Sequence, residues 1–176
     1  MRISKKAGVL VSVAALSLTG LTVSTSQADD GPWLPGEGQI FRAYNAGVRQ
    51  YLDANSRYPD DKRVITFPRR TTDLQRWAVK DPSADTFQVE SMERRGYCIE
   101  APVNMDTPAV LAECEDNPLQ KWKFVIEGDR TLLARGGSTG EVLGATGKSD
   151  NATYKSVNLQ LKTSSLNQRW YIQDAA

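Results

Sequence analysis

The 176-residue chain has 22 lysines and arginines against 21 aspartates and glutamates and no histidine, so the common general base, the Ser-His and Cys-His nucleophile pairs and histidine-ligated zinc are all excluded. A net charge of +1 supplies no footprint for nucleic acid or an anionic membrane. Nothing in the spacing of the carboxylates singles out a facing pair of glycosidase type, and the expected protein is not an enzyme and holds neither cofactor nor metal.

Taken in chain order, residues 1–28 read as a signal peptide. Arg2, Lys5 and Lys6 precede an apolar run from Ala7 to Val23, and Ser26-Gln27-Ala28 offers small residues for cleavage after Ala28. Ser12, Ser17, Thr19 and Gly20 interrupt that run and no stop-transfer flank follows, so export to the extracellular medium is expected rather than membrane insertion. Losing three basic residues leaves 19 against 21 acidic ones, and residues 29–176 have a length that suits one domain. Residues 29–35 lie outside the pattern that follows. They are expected to form an arm folded back on the domain, with Trp33, set among prolines and glycines, as the candidate anchor for a protein partner.

From residue 36 onward one pattern recurs. Gln75-Arg76-Trp77, Gln120-Lys121-Trp122 and Gln168-Arg169-Trp170 divide the chain into blocks of about 36–80, 81–126 and 127–176. Each block carries four short apolar or alternating runs of strand length. The first runs are Ile40–Tyr44, Phe87–Glu90 and Thr131–Ala134, and the second are Tyr51–Asp53, Tyr97–Glu100 and Val142–Gly144. The third runs are Arg63–Phe67, Ala109–Ala112 and Val157–Leu161, and the fourth begin at each Gln-x-Trp. Twelve strands in units too small to bury a face alone imply one shared core, and a closed barrel hides their edges. Each tryptophan is expected in that core, with its glutamine satisfying backbone groups where the chain turns into the fourth strand. Arg69-Arg70 and Arg94-Arg95 read as solvated loop charges.

Cys98 and Cys114 are the two cysteines. In an exported chain they read as a disulfide; a redox or metal pair is the alternative, without CxxC spacing or enough ligands to support it.

Three Gln-x-Trp motifs, each preceded by an apolar-apolar-acidic triplet or its remnant, resemble the ricin-B-type lectins. Cys98-Ile99-Glu100 and Val110-Leu111-Ala112-Glu113-Cys114 are similar to that family's disulfide-joined strands. The resemblance spans residues 36–176 and implies an all-β β-trefoil of three four-stranded repeats with pseudo-threefold symmetry. It also implies sugar sites built from a carboxylate after the second strand's apolar pair, a ring eight residues before the motif glutamine and an asparagine just before it. In the first repeat these places hold Asp53, Phe67 and Leu74, followed by Gln75; in the second Glu100, Ala112 and Leu119; in the third Gly144, Gln160 and Asn167. Asp53, Phe67 and Gln75 are therefore the expected carbohydrate-binding residues, with a glycan, of galactose type by the resemblance, as partner. The rival expectation is a protein-interaction adaptor or delivery subunit of a secreted toxin or enzyme complex, with degenerate sugar sites.

Overall fold

In strand β1 (Ile40–Asn45) Phe41, Ala43 and Asn45 are buried while Ile40, Arg42 and Tyr44 are half-buried on the other face, the period-two alternation of a strand with one face on a core. The computed structural model describes residues 32–83, 85–138, 140–149 and 153–176. The expected signal peptide and the start of the arm lie outside the described residues, in which no helix is long and apolar enough to cross a membrane.

The first repeat continues with β2 (Tyr51–Asp53), β3 (Ile65–Phe67) and β4 (Trp77–Lys80). The second holds β5 (Gln88–Ser91), β6 (Tyr97–Glu100), β7 (Val110–Glu113) and β8 (Trp122–Glu127). The third holds β9 (Arg130–Arg135), β10 (Glu141–Ser149), β11 (Lys155–Leu161) and β12 (Trp170–Asp174). All twelve expected strands are present, with three local differences. Each Gln-x-Trp glutamine ends a single 3-10 turn (Asp73–Gln75, Pro118–Gln120, Leu166–Gln168), so the fourth strands begin at the tryptophans. Val64 leaves the third run to bond across the centre of the molecule. Strand β8 runs past the expected block boundary to Glu127, because Gly128, at φ 65°, turns it directly into β9.

The first and fourth strands of the repeats close a ring: β1 pairs with β4 and β12, β4 with β5, β8 with β9, and β9 with β12. The remaining gap is bridged by reciprocal backbone bonds between Phe87 and Trp122, at 2.9 and 2.8 Å. The second and third strands form the hairpins β2–β3, β6–β7 and β10–β11. These meet in a cycle of backbone bonds: Val64 N donates to Ala109 O (2.8 Å), Ala109 N to Val157 O (2.8 Å) and Val157 N to Val64 O (3.2 Å). The three residues have the same chain spacing as the motif glutamines, and each is fully buried, which places them at a pseudo-threefold axis. The fold is a β-trefoil.

Trp77, Trp122 and Trp170 are at most 1% exposed and share the core with Phe41, Leu52, Ile99 and Leu143. Each indole N–H donates to the carbonyl of the second strand of its own repeat: Trp77 to Leu52 (3.2 Å), Trp122 to Ile99 (2.9 Å) and Trp170 to Leu143 (3.0 Å). The aromatic bulk fills the shared core while its one polar atom stays satisfied. Cys98 and Cys114 form the expected disulfide, closing the β6–β7 hairpin; a loop of this length contributes roughly 3 kcal/mol in the chain-entropy description.

Candidate functional site

The three motif glutamines make one and the same set of bonds. Oε1 accepts the backbone N–H five residues earlier, from Arg70, Glu115 and Thr163, at 2.8, 3.0 and 2.7 Å. Nε2 donates to the carbonyl seven residues earlier, of Pro68, Glu113 and Leu161, at 2.9, 2.8 and 2.7 Å. Backbone groups at the exit of each third strand are thereby satisfied by a side chain where no ladder continues. The same Nε2 also reaches toward the second strand, and here the repeats part company.

In the first repeat Gln75 Nε2 meets Asp53 Oδ2 at 3.1 Å and the carbonyl of Phe67 at 3.3 Å, so the structure brings the three expected residues together. Asp53 is fully buried, its Oδ1 accepting from the Asn55 amide at 2.9 Å. Burial pushes its carboxyl above the ordinary carboxylate value, and the Arg70 charge, the Asn55 amide and Gln75 pull it back. A fourth residue completes the cluster. The Arg70 guanidinium lies over the Phe67 ring, 3.5 Å from its centroid, with Nε 3.4 Å from Asp53 Oδ2. Arg70 is thus no solvated loop charge: it covers the ring face and the carboxylate at once. Its Nε is buried without a hydrogen bond of its own. Arg94 departs from expectation in the same way, its guanidinium 4.5 Å from the centroid of the Tyr58 ring.

In the second repeat Gln120 Nε2 binds Glu100 Oε2 at 3.0 Å, and Asn117 Nδ2 binds the same oxygen at 3.1 Å. Asn117 caps the 3-10 turn by accepting from Leu119 N at 2.9 Å; standing three residues before the glutamine rather than one, it escaped the sequence pattern. In the third repeat Gln160 replaces the missing carboxylate. Its Oε1 accepts from Gln168 Nε2 at 3.0 Å, and its side chain lies over Gly144, where an added Cβ would come within 2.5 Å of that oxygen. Asn167 stands away from this cluster, with its backbone against the first repeat: its carbonyl accepts from Asn45 Nδ2 at 2.8 Å.

In the arm Pro35 is buried and Leu34 packs on the core, and just beyond it Gly38 N donates to Val79 O at 2.8 Å. Trp33 remains 39% exposed. Among the described residues no group of three or more metal-ligating side chains could hold an ion.

No protein-family model matches the chain, and no curated protein matches it significantly. Solved structures do. A designed threefold-symmetric protein, ThreeFoil, superposes with a TM-score of 0.69 at 17% identity, over 77% of this chain and 99% of its own. A ricin B-like lectin from Macrolepiota procera, solved in complex with lactose, gives 0.69 at 16% identity over 81% of this chain and all of its own. A mosquitocidal holotoxin gives 0.66 at 15% identity over 78% of this chain but only 16% of the toxin chain. At such identities the likeness establishes the trefoil fold and leaves function to the sites.

Proposed function

We propose that this trefoil is an exported, non-catalytic carbohydrate-binding protein whose first-repeat site is built from Asp53, Phe67 and Gln75. One observation carries the reading: the flat, donor-rich Arg70 guanidinium rests on the Phe67 ring and against the Asp53 carboxylate. A sugar presents the same two features, an apolar face for the ring and hydroxyl donors for the carboxylate. Arg70 occupies the place a sugar would take, and its Nε does so without a hydrogen bond, which a hydroxyl at bonding distance would gain. Binding then proceeds by exchange, with Arg70 leaving as the sugar enters, and no bond is made or broken. A disulfide accords with an oxidising, extracellular setting. Macrolepiota procera lectin with lactose and an earthworm R-type lectin with GalNAc suggest a galactose-type ligand for this chain as well.

A second reading, an adaptor for a protein partner, is favoured by Trp33, a large exposed ring on a proline-flanked arm. Washing the protein captured from its native secretion with free lactose or GalNAc separates the two. Glycan recognition predicts that its bound material elutes with the sugar. A stoichiometric protein that resists both sugars would overturn that prediction and favour the adaptor.

A further inference from the structure

Met105 and Leu161 line an open cleft of about 380 Å³ at the third repeat, within the range of small binding sites. Val103, two residues before Met105, and Leu166, next to Ser165 of the cleft wall, are exposed as well. Apart from Trp33 and Ile126, these four are the only exposed large hydrophobic side chains among the described residues. Scattered singly they would need no explanation, but gathered about one concavity they mark an interaction site. We infer that this cleft docks a protein partner that presents an apolar side chain next to a lysine or arginine.

Hairpin tips build the cleft. Tyr58, from the tip of β2–β3, packs on Tyr97 of the second repeat. In the same manner the β6–β7 tip reaches the third repeat, where Asp106 N donates to Leu159 O at 3.0 Å and Asp106 O accepts from Asn158 Nδ2. Met105 and Asp106 are therefore held against β11 before any partner arrives. A sugar finds neither of its two needs there, because Gly144 and Gln160 stand where the resemblance places the carboxylate and the ring. The amides are engaged with each other and with the backbone: Gln168 Nε2 donates to Gln160 Oε1 at 3.0 Å and Gln160 Nε2 to Gly144 O at 3.2 Å. The hydroxyls of Thr163 and Ser165 are engaged too, with Gln168 Oε1 and Asn167 N. What is left for a ligand is the aliphatic side chain of Leu161, 63% exposed, and the pliable thioether of Met105, a surface that gains from being covered by carbon.

Charge gives the partner its sign. Asp106 is the ionisable residue of the cleft wall, and among the described residues no cation pairs with it; Lys162, beside Leu161, is taken by Glu127 at 2.7 Å. From Tyr97 to Gln120 the chain carries Glu100, Asp106, Glu113, Glu115 and Asp116 and no lysine or arginine, so the field over this tip attracts a basic segment. A second copy of the chain is a poorer occupant. Its exposed ring, Trp33, follows Asp29 and Asp30, whose charges oppose that of Asp106.

This cleft is separate from the Asp53 site, and either can fail alone. A random peptide library displayed on phage is selected on the full mature chain, and the enriched sequences are titrated as synthetic peptides into wild type and into variants whose melting temperatures show them folded. The enriched peptides are expected to pair a leucine, isoleucine or aromatic residue with a lysine or arginine. Leu161→Ser or Met105→Ser should weaken them about tenfold or more, the scale of one buried aliphatic side chain, and Asp106→Asn about threefold, the scale of an exposed ion pair. Asp53→Asn should leave them unaffected. Enrichment of peptides without basic residues, equal affinity for wild type and Leu161→Ser, or no binder at all would overturn the docking site. Self-association of the unliganded chain that Leu161→Ser abolishes would assign the cleft to a second copy, and displacement of the peptides by free lactose would make it a sugar site; either would overturn it as well.

Discussion

Replacing Arg70 by alanine is expected to raise the affinity of the first repeat for lactose by roughly 5- to 30-fold at neutral pH, the equivalent of about 1–2 kcal/mol. A sugar entering the wild-type site must first displace a guanidinium stacked 3.5 Å from the ring centroid, a contact worth roughly 0.5–2 kcal/mol, together with its attraction to Asp53. Removing the side chain makes the free protein competent at once. The gain carries a stability cost, because Asp53 is left buried without its counter-charge; removing one partner of a buried ion pair costs up to about 3–5 kcal/mol. The pH dependence follows from the direction of the Asp53 shift. Its folded value is raised by burial, so the folded protein keeps the proton that the unfolded chain has lost, and the stability Asp53 contributes is full below the unfolded value and falls as pH rises through the folded one. Without Arg70 the folded value moves higher still. Acidification from neutral pH should therefore weaken lactose binding by the variant sooner than by the wild type, as Asp53 takes up its proton and loses acceptor capacity. Calorimetric titration at both pH values checks this, and equal affinity for wild type and variant at neutral pH would contradict the covering role.

Alanine at Trp77, Trp122 or Trp170 is expected to cost about 3–5 kcal/mol each, at least a fifth of the roughly 5–15 kcal/mol that holds a domain together. Each loses a fully buried ring and leaves a buried carbonyl, of Leu52, Ile99 or Leu143, without its donor. Phenylalanine at the same positions restores most of the volume but not the N–H, and should recover part of the loss. Trp33→Ala should shift stability by no more than about 0.5 kcal/mol, as expected for a surface change, since that ring is 39% exposed. Denaturant midpoints distinguish the four tryptophans. A Trp33 effect comparable to the others would show that the arm belongs to the core.

The repeat was legible because it is written in spacing: the interval that separates the motif glutamines reappears in Val64, Ala109 and Val157 at the axis. Strand runs were legible as short apolar or alternating stretches between turn residues, and the disulfide from two cysteines in a chain that reads as exported. The first-repeat cluster was legible in three of its four members. Arg70 was not, because nothing local distinguishes an arginine that folds back over a hairpin from one that points into water. Gln160 taking over the place of a missing carboxylate was equally hidden, since the substitution works through a side chain crossing over Gly144 from the neighbouring strand. Asn117 and Tyr58 came to the second repeat from positions that a fixed offset does not inspect, one from a turn cap and the other from the preceding repeat. Such partners are set by tertiary approach, which a single chain of spacings does not record.

The central claim, that this trefoil recognises carbohydrate through its carboxylate-centred first-repeat site, is tested most directly on a glycan array. The wild-type mature chain is compared there with the shape-preserving variant Asp53→Asn, both verified as folded. Wild type is expected to bind a set of glycans that the variant no longer retains. Identical binding by the two proteins, or no glycan bound by wild type, would contradict it.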